Sequence, residues 1–282
     1  MTAEPDPAPL IPVGLDATLV LLRHGESEWI REGRFQGQAE TPLSDTGRRQ
    51  AALAGSRLAD PHASPMLPVP GGRPLEIGHS PLARTTETAA LVAAAIAAGG
   101  ADAGDGAPVS VRPEPGILEI GQGDWEGETH DEIARRWTAE LAAWRRRPDE
   151  AWAPGGESLA QVQSRARPAL AAILERLGRD YPRGSLDRPQ VGGYRGAGPD
   201  TRQPWSILVG HDGVFKVVLL TLFDIPLSRF WTFSFALCGI SVVEFRGGRA
   251  VLRAHNLTEH LAPMLDEEAQ AEAEARTRSG AL

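Results

Sequence analysis

Short apolar runs alternate along the chain with longer segments of helical periodicity. The runs predict strands, because apolar stretches of this length that are bounded by turn residues are typical of a buried sheet. They lie at residues 17–22, 75–79, 109–112 and 205–210. Apolar positions spaced by three or four predict helices over 45–59, 83–97, 129–147, 158–177 and 214–223. Two last runs, 239–245 and 250–254, flank an Arg-Gly-Gly-Arg turn and predict a hairpin.

Strands that alternate with helices indicate a mainly parallel sheet that is covered on both faces. We therefore predict an α/β protein with a three-layer α/β/α sandwich, in which a mostly parallel sheet is flanked by helices. A single domain is expected over residues 16–265, after a flexible leader at 1–15 and before an acidic tail at 266–282. Proline- and glycine-rich stretches near 60–74 and 184–204 are expected to be insertions into this domain.

The composition narrows the classes of partner. The 29 basic and 37 acidic residues give a net charge of −8, which argues against nucleic-acid binding. No apolar stretch is long enough to span a bilayer, and the N-terminal residues lack the basic and apolar regions of a signal peptide. We therefore expect a cytoplasmic protein without a membrane partner.

The chain has one cysteine, Cys238, which excludes an intrachain disulfide and a cysteine-based metal site.

Polar side chains follow two of the predicted strands at the point where each strand ends. Arg23 and His24 come directly after the first strand, and His211 follows the strand at 205–210. Folds of this class bind ligands beyond the carboxyl ends of the strands, so we expect these residues to share one site. An imidazole next to a guanidinium is a candidate nucleophile toward an anionic group. The alternative for an isolated His is a polar strand end that bonds only to backbone.

Two further residues complete a set that suits phosphoryl transfer. Arg84 lies in the first turn of its predicted helix, where a cation opposes the helix dipole and is expected to serve an anionic ligand. Glu119 lies in a Gly-rich loop and can protonate a leaving-group oxygen. The alternatives are an ordinary solvated Arg and a solvated loop acid. Phosphoryl transfer mainly requires positioning and positive charge around the phosphorus, so this set requires no metal and no cofactor.

These motifs resemble the histidine phosphatase superfamily, in its phosphoglycerate-mutase-like branch. The resemblance covers roughly residues 17–262 and is carried by the segments 22–27 (Leu-Arg-His-Gly-Glu-Ser), 33–37, 41–47, 80–89, 119–127, 154–158 and 255–261.

The resemblance implies a three-layer α/β/α fold and a phosphohistidine on His24. It implies a phosphate pocket made by Arg23, Arg84 and His211, with Glu119 as the proton donor and then as the base toward water. The matching positions Ser27, Gln36 and Gly37 are expected to bind phosphate or substrate.

Departures from the family pattern bear on the substrate. Ile30 stands where many members of the branch carry Asn, and Gln36 is a candidate to replace that contact. The pair Asp212-Gly213 and the loop 121–127 favour a phosphatase over a mutase. Arg145–Arg147 favours a mutase, unless it is only the basic end of a helix.

We therefore predict a metal-independent phosphomonoester phosphatase that acts on a small phosphorylated metabolite. A cofactor-primed phosphoglycerate mutase is the first alternative. A non-catalytic binder of phosphorylated ligands is the second, although such a protein would be expected to lack His24 or Glu119. The oligomeric state stays open, with a homodimer among the alternatives.

Overall fold

The structure is a computed structural model that describes residues 9–99, 108–179, 203–264 and 267. Within these residues, six strands form one sheet in the order β3-β2-β4-β1-β5-β6. The strands are β1 (Ala17–Arg23), β2 (Glu76–His79), β3 (Ser110–Pro113), β4 (Trp205–Gly210), β5 (Ile240–Arg246) and β6 (Arg249–Leu257). Strands β1 to β4 run parallel, whereas β5 pairs antiparallel with both β1 and β6. The predicted α/β class with a mostly parallel sheet is confirmed.

Helices cover both faces of this sheet. They are α1 (Glu28–Arg31), α2 (Asp45–Ala59), α3 (Ala83–Ala98), α4 (His130–Arg136), α5 (Thr138–Arg146), α6 (Leu159–Gly178) and α7 (Asp212–Leu222). Short 3-10 turns lie at Pro115–Ile117, Gly123–Trp125, Leu227–Thr232 and Glu259–Leu261.

Strand β1 separates two hydrophobic cores. Its residues Leu19 and Leu21 belong to the core that α4 to α7 also form, whereas Val20 and Leu22 belong to the core shared with α2 and α3. Successive side chains of a strand point to opposite faces, so a continuous apolar run serves both layers. Burying each such side chain contributes roughly 1.5–3 kcal/mol. The central strands are therefore firmly held, and their carboxyl ends give the site a rigid base.

The chain departs from the sequence expectation in two helices. The predicted helix over 129–147 is two helices, because Trp137 leaves the helical conformation at φ −130° and ψ 46°. Ile133 and Leu141 on either side of this break are buried in the same core, so the apolar pattern continues across it. Helix α6 continues through Pro168 as one helix, so the proline does not split it, and a kink there stays a prediction. Pro168 is exposed, so water can satisfy the carbonyl group that its ring deprives of a donor.

The predicted leader and insertions are partly described. Leu10 and Leu15 are buried in the core with β1. This part of the expected flexible leader therefore packs against the domain. In the loop at 60–74, Leu67 and Val69 are buried in the second core. Residues 1–8, most of the predicted insertion at 184–204 and nearly all of the predicted tail lie outside the described residues.

Candidate active site

Two buried histidines meet at the carboxyl edge of the sheet. The side chains of His24 and His211 follow the neighbouring parallel strands β1 and β4, and the backbone N–H of His24 donates to the carbonyl of Gly210 at 3.0 Å. The residues are 2% and 0% exposed. Their ring centroids are 5.0 Å apart. The juxtaposition expected from the strand order is therefore present.

The tautomer of His24 is set by its neighbour in the chain. Its Nδ1 lies 2.6 Å from the carbonyl oxygen of Gly25, which can only accept, so Nδ1 carries the proton and Nε2 carries the lone pair. Burial, and then the charges of Arg84 and Arg23, hold the pKa of His24 well below its ordinary value. A neutral imidazole with its lone pair on Nε2 is the form that can attack phosphorus.

Two glycines fix the loop that carries this histidine. A Cβ atom at Gly25 would lie 2.3 Å from the carbonyl oxygen of Gly47, and one at Gly47 would lie 1.9 Å from the carbonyl oxygen of Glu26. Real Cβ atoms do not approach backbone so closely, so each position requires glycine. The first turn of α2 therefore braces the loop behind His24.

Arg84 is a buried cation with donor capacity left over. The residue is 0% exposed. Its Nη1 donates to the carbonyl of Ala39 at 2.9 Å and its Nη2 donates to the carbonyl of Gly37 at 2.8 Å. Burial lowers the pKa of Arg84 to about 10, so the guanidinium is still charged at neutral pH. Its Nε has no partner among the described residues.

Arg23 and His211 add two more such donors. Arg23 donates from Nη1 to the carbonyl of Phe235, and its Nε is buried without a partner among the described residues. His211 contacts the hydroxyl of Ser80 through Nε2 at 2.8 Å. Its Nδ1 is likewise buried and unpartnered in the described part of the chain. Burial first, and then the charge of Arg84, lowers the pKa of His211 well below its ordinary value.

These atoms make a candidate site for an oxyanion. Buried donors are nearly always paired in native proteins, and here three nitrogens, the Nε of Arg23, the Nε of Arg84 and the Nδ1 of His211, lack partners within the described residues. Arg84 and Arg23 both act on the pKa of His24 and of His211, so the four groups share one electrostatic environment. A phosphoryl group would satisfy the open donors and offset the positive charge.

The carboxylate of Glu119 lies at the N-terminus of α7, beside His211. Its Oε2 accepts from the N–H of Gly213 at 3.1 Å, and its Oε1 accepts from the N–H of Val214 at 2.9 Å. The same Oε1 accepts from the N–H of Ile120 at 2.8 Å. A carboxylate at a helix N-terminus is electrostatically favourable in its charged form. A Cβ at position 213 would lie 2.7 Å from Oε1 of Glu119, so a larger residue there would displace this carboxylate.

The three predicted binding residues from the first motifs hold one another and Arg84. Ser27 caps α1 and also donates to Oε1 of Gln36 at 2.5 Å, and Thr41 donates to the same atom at 2.7 Å. Two donors on Oε1 fix the orientation of the amide and leave its NH₂ group as the end that can serve a ligand. Gly37 presents its carbonyl to Arg84. Ser27 and Gly37 are thus already engaged within the protein.

The basic triplet at the end of α5 makes other contacts. Arg145 contacts His130, and Arg147 pairs with Glu150 at 2.6 Å. Neither of these contacts reaches the residues of the oxyanion site. The contact of Ser80 with His211 is not predictable from the sequence, because nothing in a sequence shows that a serine after β2 faces a histidine after β4.

The described residues contain neither a metal site nor a membrane-spanning helix. Within them, no group of three or more His, Cys, Asp or Glu side chains is arranged to hold a metal ion. None of the helices that the structure describes has the length and apolar character needed to cross a membrane.

A family model of the histidine phosphatase superfamily (branch 1) matches residues 19–181 and 197–258. The chain belongs to the histidine phosphatase superfamily. The family expected from the motifs is confirmed by this match. The fold is confirmed by YhfR of Bacillus stearothermophilus, whose structure superposes with a TM-score of 0.65 at 26% identity, covering 87% of this chain and 99% of that one.

Several relatives are named as phosphatases. Glucosyl-3-phosphoglycerate phosphatase of Mycolicibacterium vanbaalenii is 32% identical over 214 residues, covering 75% of this chain and 76% of that protein. Phosphoserine phosphatase 1 of Hydrogenobacter thermophilus is 28% identical over 246 residues, covering 86% of this chain and 93% of that protein. The predicted phosphatase class is thereby confirmed. A relative from Salmonella choleraesuis, 28% identical over 260 residues that cover 88% of this chain and 96% of that protein, is named "Probable phosphoglycerate mutase GpmB".

The buried histidines make the stability of the fold sensitive to acid. Burial lowers the pKa of His24 and of His211, and it lowers the pKa of His260 to about 4. The unfolded chain therefore binds more protons below the ordinary value of 6.5. Stability should be full above that value and fall as the pH drops toward 4. Urea midpoints measured between pH 8 and pH 4 test this, with His260→Gln expected to flatten the profile. Equal midpoints at pH 8 and pH 5 would contradict it.

Proposed function

We propose that this protein is a phosphomonoester phosphatase that forms a phosphohistidine on His24 and acts on a small phosphorylated metabolite. The observation that carries the proposal is the group of buried donors of Arg23, Arg84 and His211, unpartnered among the described residues, beside the neutral ring of His24. This arrangement supports the roles that the motifs predict for these residues. It offers charge and hydrogen bonds to the phosphoryl oxygens, and a lone pair to the phosphorus.

The proposed first step transfers the phosphoryl group to the enzyme. The lone pair on Nε2 of His24 forms a bond to phosphorus while the bond from phosphorus to the ester oxygen breaks. Glu119, in its protonated form, gives its proton to that oxygen, so the leaving group departs as an alcohol. The guanidinium groups of Arg23 and Arg84 and the Nδ1–H of His211 bind the phosphoryl oxygens as charge develops on them.

The proposed second step releases phosphate. A water molecule attacks the phosphohistidine and gives a proton to the carboxylate of Glu119, while the bond from Nε2 to phosphorus breaks. Inorganic phosphate leaves, and both His24 and Glu119 return to their starting forms. The amide NH₂ of Gln36 is proposed to take the place of the Asn contact that is lost at Ile30.

The substrate class is proposed from the chemistry of the site and from the relatives. Phosphoserine and glucosyl-3-phosphoglycerate, named for two relatives, are phosphate monoesters of alcohols that also carry a carboxylate. A panel of such esters is therefore the place to begin. A cytoplasmic location and the absence of a nucleic-acid partner stay predictions from the sequence, and a homodimer stays one alternative for the oligomeric state.

Release of inorganic phosphate from this panel tests the proposed function. We expect kcat/KM for at least one metabolite phosphate to exceed that for p-nitrophenyl phosphate, because binding energy from the rest of the molecule contributes to the transition state. The same assay with 3-phosphoglycerate and a bisphosphoglycerate primer distinguishes a phosphatase from a phosphoglycerate mutase, the alternative suggested by the name of one relative. Isomer formation without phosphate release would overturn the phosphatase in favour of the mutase. No turnover of any ester would favour a non-catalytic binder.

A further inference from the structure

Arg165 on α6 is bonded to the segment that carries Glu119. Its Nη1 donates to the carbonyls of Gly116 at 3.0 Å and of Leu118 at 2.8 Å, and its Nη2 donates to the carbonyl of Glu119 at 2.7 Å. These carbonyls belong to the 3-10 turn Pro115–Ile117 and to the irregular stretch that follows it. One guanidinium therefore fixes the backbone up to and including the proposed proton donor.

Glu157 holds this guanidinium in place. Its two carboxylate oxygens accept from Nε and Nη2 of Arg165, each at 2.8 Å. Burial alone would raise the pKa of Glu157, but hydrogen bonds from Arg165 and from the N–H of Gly121 keep it below its ordinary value. The bidentate pair is the strongest geometry available to these two groups, and it leaves Arg165 little rotational freedom.

Gln38 bonds both to the Glu119 segment and to Glu157. Its Nε2 donates to the carbonyl of Glu119 at 3.0 Å and to Oε2 of Glu157 at 3.0 Å, while the same Oε2 accepts from the N–H of Gly121 at 2.8 Å. The carbonyl of Glu119 thus has two donors, and the residues before and after it are bonded to the same ion pair.

The close approach of the segment to α6 is built into the sequence. A Cβ atom at Gly116 would lie 2.5 Å from the Cβ of Ala169 and 2.6 Å from the carbonyl oxygen of Arg165. Glycine at 116 therefore lets the turn lie against the helix, within reach of the Arg165 side chain. The guanidinium is also near enough to act on the pKa of His211.

We propose that Arg165, held by Glu157, is a positioning residue that sets where the carboxyl group of Glu119 stands for proton transfer. This inference rests on the proposed function, in which Glu119 protonates the leaving oxygen. A misplacement of about 1 Å in such a group can lower the rate by a factor on the order of 100. In this role Arg165 acts through the position of Glu119, because its N–H groups are engaged by the carbonyls of that segment and by Glu157.

The test compares Arg165→Lys with a matched control on the same helix. Arg176 also pairs on α6, with Glu76 at 2.8 Å and with Glu114, and its side chain is 17% exposed against 22% for Arg165. The substrates are p-nitrophenyl phosphate, whose leaving group needs no proton, and an alkyl phosphate, whose leaving group does. The value compared is kcat/KM, because it reports the first chemical step.

Arg165→Lys should lower kcat/KM for the alkyl phosphate by about 10- to 100-fold and for p-nitrophenyl phosphate by less than about 3-fold. Arg176→Lys should change both by less than about 3-fold. Glu157→Gln should change kcat/KM for the two substrates in the same direction as Arg165→Lys does. It provides the test if Arg165→Lys does not fold. Equal losses on both substrates, or the same selectivity in Arg176→Lys, would overturn the inference.

The Glu119→Gln background separates this inference from the proposed function. If Arg165 acts through Glu119, then Arg165→Lys should cause no further selective loss once the acid is gone, since residues that act as a unit are not additive. A further selective loss would mean that Arg165 acts elsewhere. If Glu119→Gln alone shows no selectivity between the leaving groups, the proposed acid is wrong. If it does and Arg165→Lys does not, only the positioning role fails.

Discussion

Replacing His24 by alanine is expected to lower phosphate release by a factor on the order of 10⁴ or more, because the residue supplies the atom that bonds to phosphorus. The change should also abolish covalent capture of phosphate. Wild-type enzyme that is mixed with a labelled substrate and quenched in alkali should retain label, because phosphohistidine survives base and is lost in acid. The alanine variant should retain none.

The fold of this variant should persist. His24 is neutral and buried, and its side chain bonds only to the carbonyl of the next residue among the contacts described. His62, whose Nε2 bonds to the carbonyl of Val69 at 3.0 Å, offers a control histidine outside the site, and His62→Ala should keep the activity within about 3-fold. Retained turnover or retained label in folded His24→Ala would remove the nucleophile role.

Replacing Arg84 by methionine is the second large effect that we expect. The change removes a buried guanidinium that holds the loop carbonyls of Gly37 and Ala39. It also removes the Nε donor, which has no partner within the described residues. We expect kcat/KM to fall by about 10³-fold, which corresponds to roughly 4 kcal/mol of transition-state stabilisation. Binding of inorganic phosphate or vanadate should weaken in parallel, as measured by competitive inhibition.

Arg84→Lys separates charge from geometry. Lysine keeps the positive charge but cannot donate to two carbonyls and to an oxyanion from one planar group. We expect it to recover less than about one-tenth of the loss seen with methionine, because the forked geometry carries most of the effect. The surface residue Arg48, which pairs with Glu87 at 2.6 Å, is the matched control, and Arg48→Met should leave phosphate inhibition unchanged. Full recovery of activity by lysine would contradict the geometric role of the guanidinium.

The alternation of apolar runs was enough to predict the sheet and the edge at which the site lies. Arg23, His24 and His211 end two strands that prove to be parallel neighbours, so their meeting follows from topology alone. Glu119 could be named as an acid from its chemistry. Its attachment to the first turn of α7 depends on contacts between segments far apart in the chain, which no local pattern encodes.

Other features were beyond the sequence for the same reason. Arg165 lies in an amphipathic helix where an arginine on the polar face is ordinarily solvated, and its bonds go to residues 46 to 49 positions away. The packing of Leu10 and Leu15 into the core is likewise a tertiary effect in a segment whose prolines suggest a free leader. Local sequence patterns determine where helices and strands form, whereas these contacts depend on how the helices and strands pack together.

The hydroxyl group of Ser80 gives His211 a freedom that a carboxylate neighbour would deny it. A hydroxyl donates to the bare Nε2 of a neutral ring and accepts from the N–H of a protonated ring, without changing its place. The ring of His211 can therefore be neutral or protonated beside the same hydroxyl, and a dianion bound next to it would favour the protonated form. Positive charge at the site would then increase together with ligand binding, and the two guanidinium groups would not face a third cation before the ligand binds.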